Sequence, residues 1–192
     1  FNDEAYAQNI YYKLPSLKSY EVQPRKMSKR KLIVEIIAFC LMPNHFHLFL
    51  RQNIDNGIVK FMQKLGTGYT MYFNQKYNRV GGLFQGRFKA VLIEKQAHFL
   101  YLPHYIHLNP LDRKVPSWRE KRIPHVKRAL QFLDSYRWSS YLDHTGKKNF
   151  PSLISSHLFK ELFGDARSYR KSLREWIRDM NLSALEGVTL EE

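Results

Sequence analysis

The chain has 192 residues, 44% of them hydrophobic and 15% aromatic, enough for a packed core and too apolar for a disordered protein. Its 31 Lys and Arg against 17 Asp and Glu leave a formal charge of +14, which points to a polyanionic partner, nucleic acid being the commonest. Cys40 is the only cysteine, which excludes a disulfide framework and a cysteine-based zinc site, and no apolar run reaches the ~18 residues that span a bilayer.

A lone thiol fits a reducing cytoplasm, and no membrane partner is expected. The first residue is Phe1, from which an upstream piece is expected. In chain order, residues 3–17 predict a short helix, with Tyr6, Ile10 and Tyr11 at helical spacing and Pro15 closing it. Residues 24–31 follow as a basic turn, and its Arg25, Lys26, Lys29 and Arg30 are candidates for phosphate contact. Leu32 to Leu41 is a nearly continuous apolar run, broken by Glu35, and reads as a buried strand. Pro43 fixes a tight connection into Asn44-His45-Phe46-His47-Leu48-Phe49-Leu50, so the two strands read as an antiparallel hairpin ending near Asn53. Alternation along the second strand puts His45 and His47 on one side and Phe46, Leu48 and Leu50 on the other.

Asn56 through Asn78 is the longest helical pattern, with Tyr69, Tyr72 and Phe73 in a stripe that reads as core. Gly66 and Gly68 weaken its middle by about 1 kcal/mol each relative to Ala and suggest close approach of another backbone or of a ligand. Gly81-Gly82 turns the chain. A strand is expected from Arg87, where Arg87 and Lys89 share a face and would form a rail for phosphates. Lys95 to Leu108 reads as a helix ended by Asn109-Pro110. Asp112 to Arg128, charged and carrying Pro116 and Pro124, reads as an excursion over the surface. Two helices are expected to close the chain, Ser155 to Phe163 and Ala166 to Met180. The second has Arg167, Arg170, Lys171, Arg174 and Arg178 on one side and Tyr169, Leu173, Trp176 and Ile177 toward a core.

This order predicts an α+β fold, a ferredoxin-like antiparallel sheet with helices on one face and a C-terminal helical extension, its first strand missing or unrecognised. Residues 1–115 would be a catalytic core, and residues 116–192 the surface excursion and basic helices packed on it.

Two histidines at i and i+2 on a strand supply part of a metal site. Tyr105 and Asn109, at i and i+4, share a helix face, which places a phenol hydroxyl beside an amide oxygen, a hard ligand suited to Mg²⁺ or Mn²⁺. Tyr101 lies one turn earlier on that face and is the rival nucleophile, though eight residues from Asn109. His104 and His107 lie on other faces and read as structural or surface residues. A catalytic zinc is disfavoured, because no third His, Cys or carboxylate at a recognisable spacing joins the pair.

These residues resemble a known family. His45-Phe46-His47, within Leu41 to Leu48, looks like the HUH motif (His, bulky apolar residue, His) of single-tyrosine DNA transposases, and Tyr105 to Pro110 resembles their nucleophile helix. The stretches from Gly82 to Lys89 and from Trp138 to Tyr141 resemble the branch called REP-associated tyrosine transposases, and the likeness extends from about Glu4 to Trp176. It implies that His45, His47 and Asn109 hold one divalent ion, Mg²⁺ or Mn²⁺, with no small-molecule cofactor. Tyr105 would attack single-stranded DNA that carries a hairpin, leaving a 5′-phosphotyrosine link and a free 3′-OH. It also implies a bacterial, DNA-associated protein, either a monomer or a homodimer. Arg25, Lys26, Lys29, Arg30, Arg87, Lys89, Arg170 and Arg174 are candidates for DNA contact on charge alone. The alternative is a non-catalytic hairpin-binding protein on the same scaffold.

Overall fold

A computed structural model describes residues 31–120 and 123–179. The expected helix over residues 3–17 and the basic turn from Arg25 to Arg30 lie outside the described residues. The fold is α+β, with a β-hairpin, helices that follow it in sequence and further helices toward the C-terminus. Two compact units divide the chain: 1–35 with 51–88, and 36–50 with 89–192.

Strand β1 spans Val34–Leu41 and β2 spans Phe46–Gln52. They form a two-stranded antiparallel sheet among the described residues, closed by a hydrogen bond from Met42 N to His45 O at 2.8 Å. Val34, Ile37, Ala38 and Cys40 are fully buried, as the continuous apolar run predicts for a strand covered on both faces. Along β2 the buried position is Phe49, which meets Phe99 at 4.9 Å, while Phe46, Leu48 and Leu50 are only partly covered. The histidine side of β2, rather than its Phe46 side, therefore faces the buried interior.

The second edge of β1 is taken by distant chain. Leu41 N donates to Trp138 O at 2.8 Å, Ser140 N to Phe39 O at 3.0 Å, and Ser155 N to Ile36 O at 2.7 Å. The Ser140 hydroxyl accepts the Phe39 N–H at 2.9 Å, and Tyr136 Oη donates to Leu41 O at 2.6 Å. An edge satisfied in this way offers no template for another strand. The strand expected from Arg87 is not formed. Residues 87–93 carry no ladder, and Phe88 and Leu92 are 40% and 79% exposed. Alternating apolar residues make a strand only when an edge pairs with them, and among the described residues no strand pairs with this segment.

In the first unit, helix α1 spans Gly57–Tyr77 between Asn56 and Asn78, both in the left-handed conformation that Asn tolerates. A Cβ at Gly57 would stand 2.8 Å from Ile33 O, so this glycine permits a close backbone approach. Gly66 does not, since a Cβ there meets nothing within 4 Å. The expected stripe of Tyr69, Tyr72 and Phe73 is not core: Tyr69 and Tyr72 are exposed and Phe73 is half-buried, while Phe61 is the buried aromatic of α1.

In the second unit, helices α2 (Gln96–Leu108), α3 (Val126–Ser135), α4 (Tyr141–His144), α5 (Ser156–Phe163) and α6 (Ala166–Asp179) enclose a single apolar cluster. Tyr169, Leu173, Trp176 and Ile177 of α6 are buried in it, as their helical spacing predicts. The segment after α2 is not a surface excursion throughout. Two 3₁₀ turns, Asn109–Arg113 and Pro116–Glu120, bury Leu111 and Trp118 completely while Arg113, Lys114 and Glu120 stay exposed. Trp118 outweighs the charges around it because burying so large a side chain contributes several kcal/mol.

Candidate active site

His45 and His47 lie at the start of β2, with ring centroids 5.0 Å apart and planes at 88°. The strand's period of two puts both rings on one side. Asn44 Oδ1 is 2.8 Å from His45 Nδ1, and an amide oxygen only accepts, so this nitrogen carries the proton and Nε2 keeps a lone pair. Burial lowers the pKa of both rings, that of His47 to about 4; the His47 ring adds to this at His45, and the Arg119 guanidinium lowers both against the opposing pull of Asp112. Both imidazoles are therefore neutral at pH 7, the state in which histidine binds a cation.

Helix α2 brings its C-terminal end to the same place. The Tyr105 ring stands 6.4 Å from that of His47, nearly perpendicular to it. The chain does not break at Asn109-Pro110. It tightens into a 3₁₀ turn in which Pro110 occupies an early position where its missing N–H costs little. Asn109 is fully buried, and its Nδ2 donates to Tyr105 O at 3.0 Å.

Sequence reasoning missed two residues of this cluster. Arg119 donates from Nη1 to the Tyr105 hydroxyl at 2.8 Å and from Nη2 to Asn109 Oδ1 at 2.9 Å. Asp112 holds the other side of the guanidinium, accepting Nε at 2.9 Å and Nη2 at 2.7 Å. Trp118 Nε1 also donates to Asp112. The signal available was a tryptophan and an arginine side by side in an otherwise charged, proline-bearing stretch.

Burial pushes the Tyr105 phenol up to about 12, against the opposing pull of Arg119. Tyr101 is committed elsewhere, stacked on Trp176 at 6.3 Å. His104 stacks on Tyr169 at 5.2 Å, and His107 is bonded to Tyr169 Oη at 2.5 Å and Ser140 Oγ at 2.8 Å. Both histidines are buried and structural, which decides between the structural and surface roles their helix faces allow.

No group of three His, Cys, Asp or Glu suited to a metal occurs among the described residues. The donors at hand are two neutral imidazoles and an amide oxygen, a set that fits a divalent ion completing its shell with water or phosphate. Arg87 and Lys89 are exposed on a loop without strand pairing. Arg170 is held by an ion pair with Asp134, so it is less available to DNA than charge alone suggests. Arg174 is exposed and lines an open groove of about 640 Å³ with Arg167, Lys171 and Arg178. No described helix is long and apolar enough to cross a membrane.

Residues 19–109 match the family model described as transposase IS200 like. The matched segment includes both histidines, Tyr105 and Asn109, and spans less than half of the chain. No match was found among curated proteins or among solved structures.

Proposed function

We propose that this protein is a DNA transposase that cuts and rejoins hairpin-bearing single-stranded DNA through Tyr105. The observation that supports it most is the convergence of four residues. The rings of His45, His47 and Tyr105 form a chain of contacts at 5.0 and 6.4 Å, and Asn109 joins Tyr105 through backbone and guanidinium. The match over residues 19–109 covers all four.

In this reading His45, His47 and Asn109 hold Mg²⁺ or Mn²⁺, which when bound would polarise the scissile phosphate and neutralise its charge. The Tyr105 hydroxyl loses its proton, and its oxygen attacks phosphorus. The P–O3′ bond breaks, the 3′ oxygen leaves and takes up a proton, and the 5′-phosphate stays on Tyr105. The phosphodiester's energy is kept in the phosphotyrosine bond, so a 3′-OH can reverse the step without ATP. Arg174 and its neighbours on α6 are proposed to hold DNA phosphates. Residues 1–115 would form the catalytic core with 116–192 packed on it, although Arg119 then reaches into the core's site. The likeness of Gly82 to Lys89 and Trp138 to Tyr141 supports the REP-associated branch.

Tyr105 is only 5% exposed, and its hydroxyl is engaged by Arg119. That observation favours a second reading, a non-catalytic hairpin-binding protein. Incubation with a labelled hairpin-bearing oligonucleotide and Mn²⁺ separates the two. A covalent protein–DNA band that Tyr105→Phe abolishes supports the transposase. Salt-sensitive binding without such a band supports the binding protein.

A further inference from the structure

We infer that Arg119 is a positioning residue that aims the Tyr105 hydroxyl and the Asn109 amide oxygen as one unit, an inference that rests on the roles proposed for those two residues. Arg119 lies outside the matched segment 19–109, so the family match gives it no role.

A guanidinium is planar and rigid, and it donates from a fixed fork. Asp112 takes one edge of the fork through both carboxylate oxygens, at 2.9 and 2.7 Å. Once that edge is held, the directions of the remaining donors follow, and they end on Tyr105 Oη and Asn109 Oδ1. The group also lies over the rings of Trp118 and Tyr105, at 5.0 and 5.7 Å from their centroids. Trp118 is fully buried and bonded to Asp112, so the anchor itself is fixed to the core.

The consequences for the two target groups follow from donor and acceptor rules. Arg119 can only donate, so Asn109 must present its oxygen toward it. The other end of the amide donates to Tyr105 O, and a flip would set an NH₂ against the guanidinium and an oxygen against a carbonyl. The amide's orientation is thus fixed at both ends. Tyr105 must accept from Arg119, so its own O–H proton points away from the guanidinium. Lysine has a point charge on a flexible stem and cannot serve the three partners together. Groups that orient metal ligands in this way typically contribute 10–100-fold in affinity or activity, and Arg119 is expected to fall in about that range.

The test uses the whole chain with Arg119→Lys, Arg119→Gln and Arg119→Ala. Two quantities are read: Mn²⁺ affinity without DNA, by electron paramagnetic resonance, and the rate of covalent adduct formation on a hairpin-bearing oligonucleotide. Arg119→Lys should weaken Mn²⁺ binding and slow the adduct by roughly 10-fold or more while thermal unfolding stays close to wild type. Millimolar guanidinium should restore part of the rate lost in Arg119→Ala and none of that lost in Tyr105→Phe. If Arg119→Ala does not fold, the Lys and Gln variants carry the test. A wild type that forms its adduct through Tyr105, with rate and Mn²⁺ affinity both unchanged in Arg119→Lys and Arg119→Gln, overturns the role of Arg119 and leaves the transposase standing. A wild type that forms no adduct overturns the transposase, and unchanged Mn²⁺ affinity in the variants would then overturn the role of Arg119 as well.

Discussion

Arg119 and Tyr105 are 14 residues apart in sequence, yet the guanidinium of one donates a 2.8 Å hydrogen bond to the phenol oxygen of the other. The bond places a permanent positive charge beside a hydroxyl that burial otherwise keeps protonated. The two effects oppose each other, and burial is the larger, leaving the phenol pushed up to about 12.

A nucleophile with so high a pKa is almost wholly protonated near neutrality. Each unit of rising pH should therefore raise its ionised fraction about tenfold, as long as the pH stays below the phenol's pKa. The initial rate of adduct formation at saturating Mn²⁺ is expected to climb with pH from about 6 to about 9, with a logarithmic slope near 1. A flat profile over that range would mean that ionisation of a buried phenol does not limit the step.

Two arginines on α6 should behave differently. Arg170 is paired with Asp134, whereas Arg174 is exposed in the groove. Arg170→Ala should cost about 1 kcal/mol of stability, visible as a lower Tm. Arg174→Ala should leave Tm unchanged and weaken binding to single-stranded DNA, reducing the salt slope by roughly 0.7 for one lost phosphate contact. Equal effects of both substitutions on Tm and on the salt slope would contradict this division.

The hairpin, α1 and α2 were legible in the sequence because their signals are local. A continuous apolar run, a period of two and a period of 3.6 marked them to within a few residues. The spacings that join His45 to His47 and Tyr105 to Asn109 are local too, which is why that cluster could be anticipated. Arg119 could not be. Its approach depends on Trp118 being buried and on two 3₁₀ turns closing the intervening chain, and charge and proline content said only that the stretch was polar. The cover on β1 was equally hidden, since Ser140 meets Phe39 across 101 residues of sequence. Periodicity grouped Tyr69, Tyr72 and Phe73 on one face of α1, but it carries no information on whether anything covers that face.

The buried histidines predict how the fold responds to acid. His104 and His107 are almost entirely enclosed, as is His144, whose Nε2 lies 2.9 Å from Ile37 O. Burial lowers all three, His104 to about 3, His144 to about 4, and His107 well below the ordinary value. The unfolded chain accepts protons near pH 6.5, where the folded chain still refuses them. Stability is therefore intact above about pH 6.5 and falls as pH drops toward 4, by about 1.4 kcal/mol per histidine for each unit. From about pH 7 to about pH 5.5, Tm should fall by roughly 10 °C. A Tm that stays constant over that interval would show that these histidines do not resist protonation.

The identity of the atom that becomes bonded to DNA decides whether Tyr105 is the nucleophile. After reaction with a hairpin-bearing oligonucleotide and Mn²⁺, proteolysis and fragment mass spectrometry should locate a nucleotide 5′-phosphate on Tyr105, and His45→Ala, His47→Ala and Asn109→Ala should each deplete that species. The same phosphate on Tyr101, or wild-type protein that cleaves the DNA and carries no nucleotide at all, would contradict it.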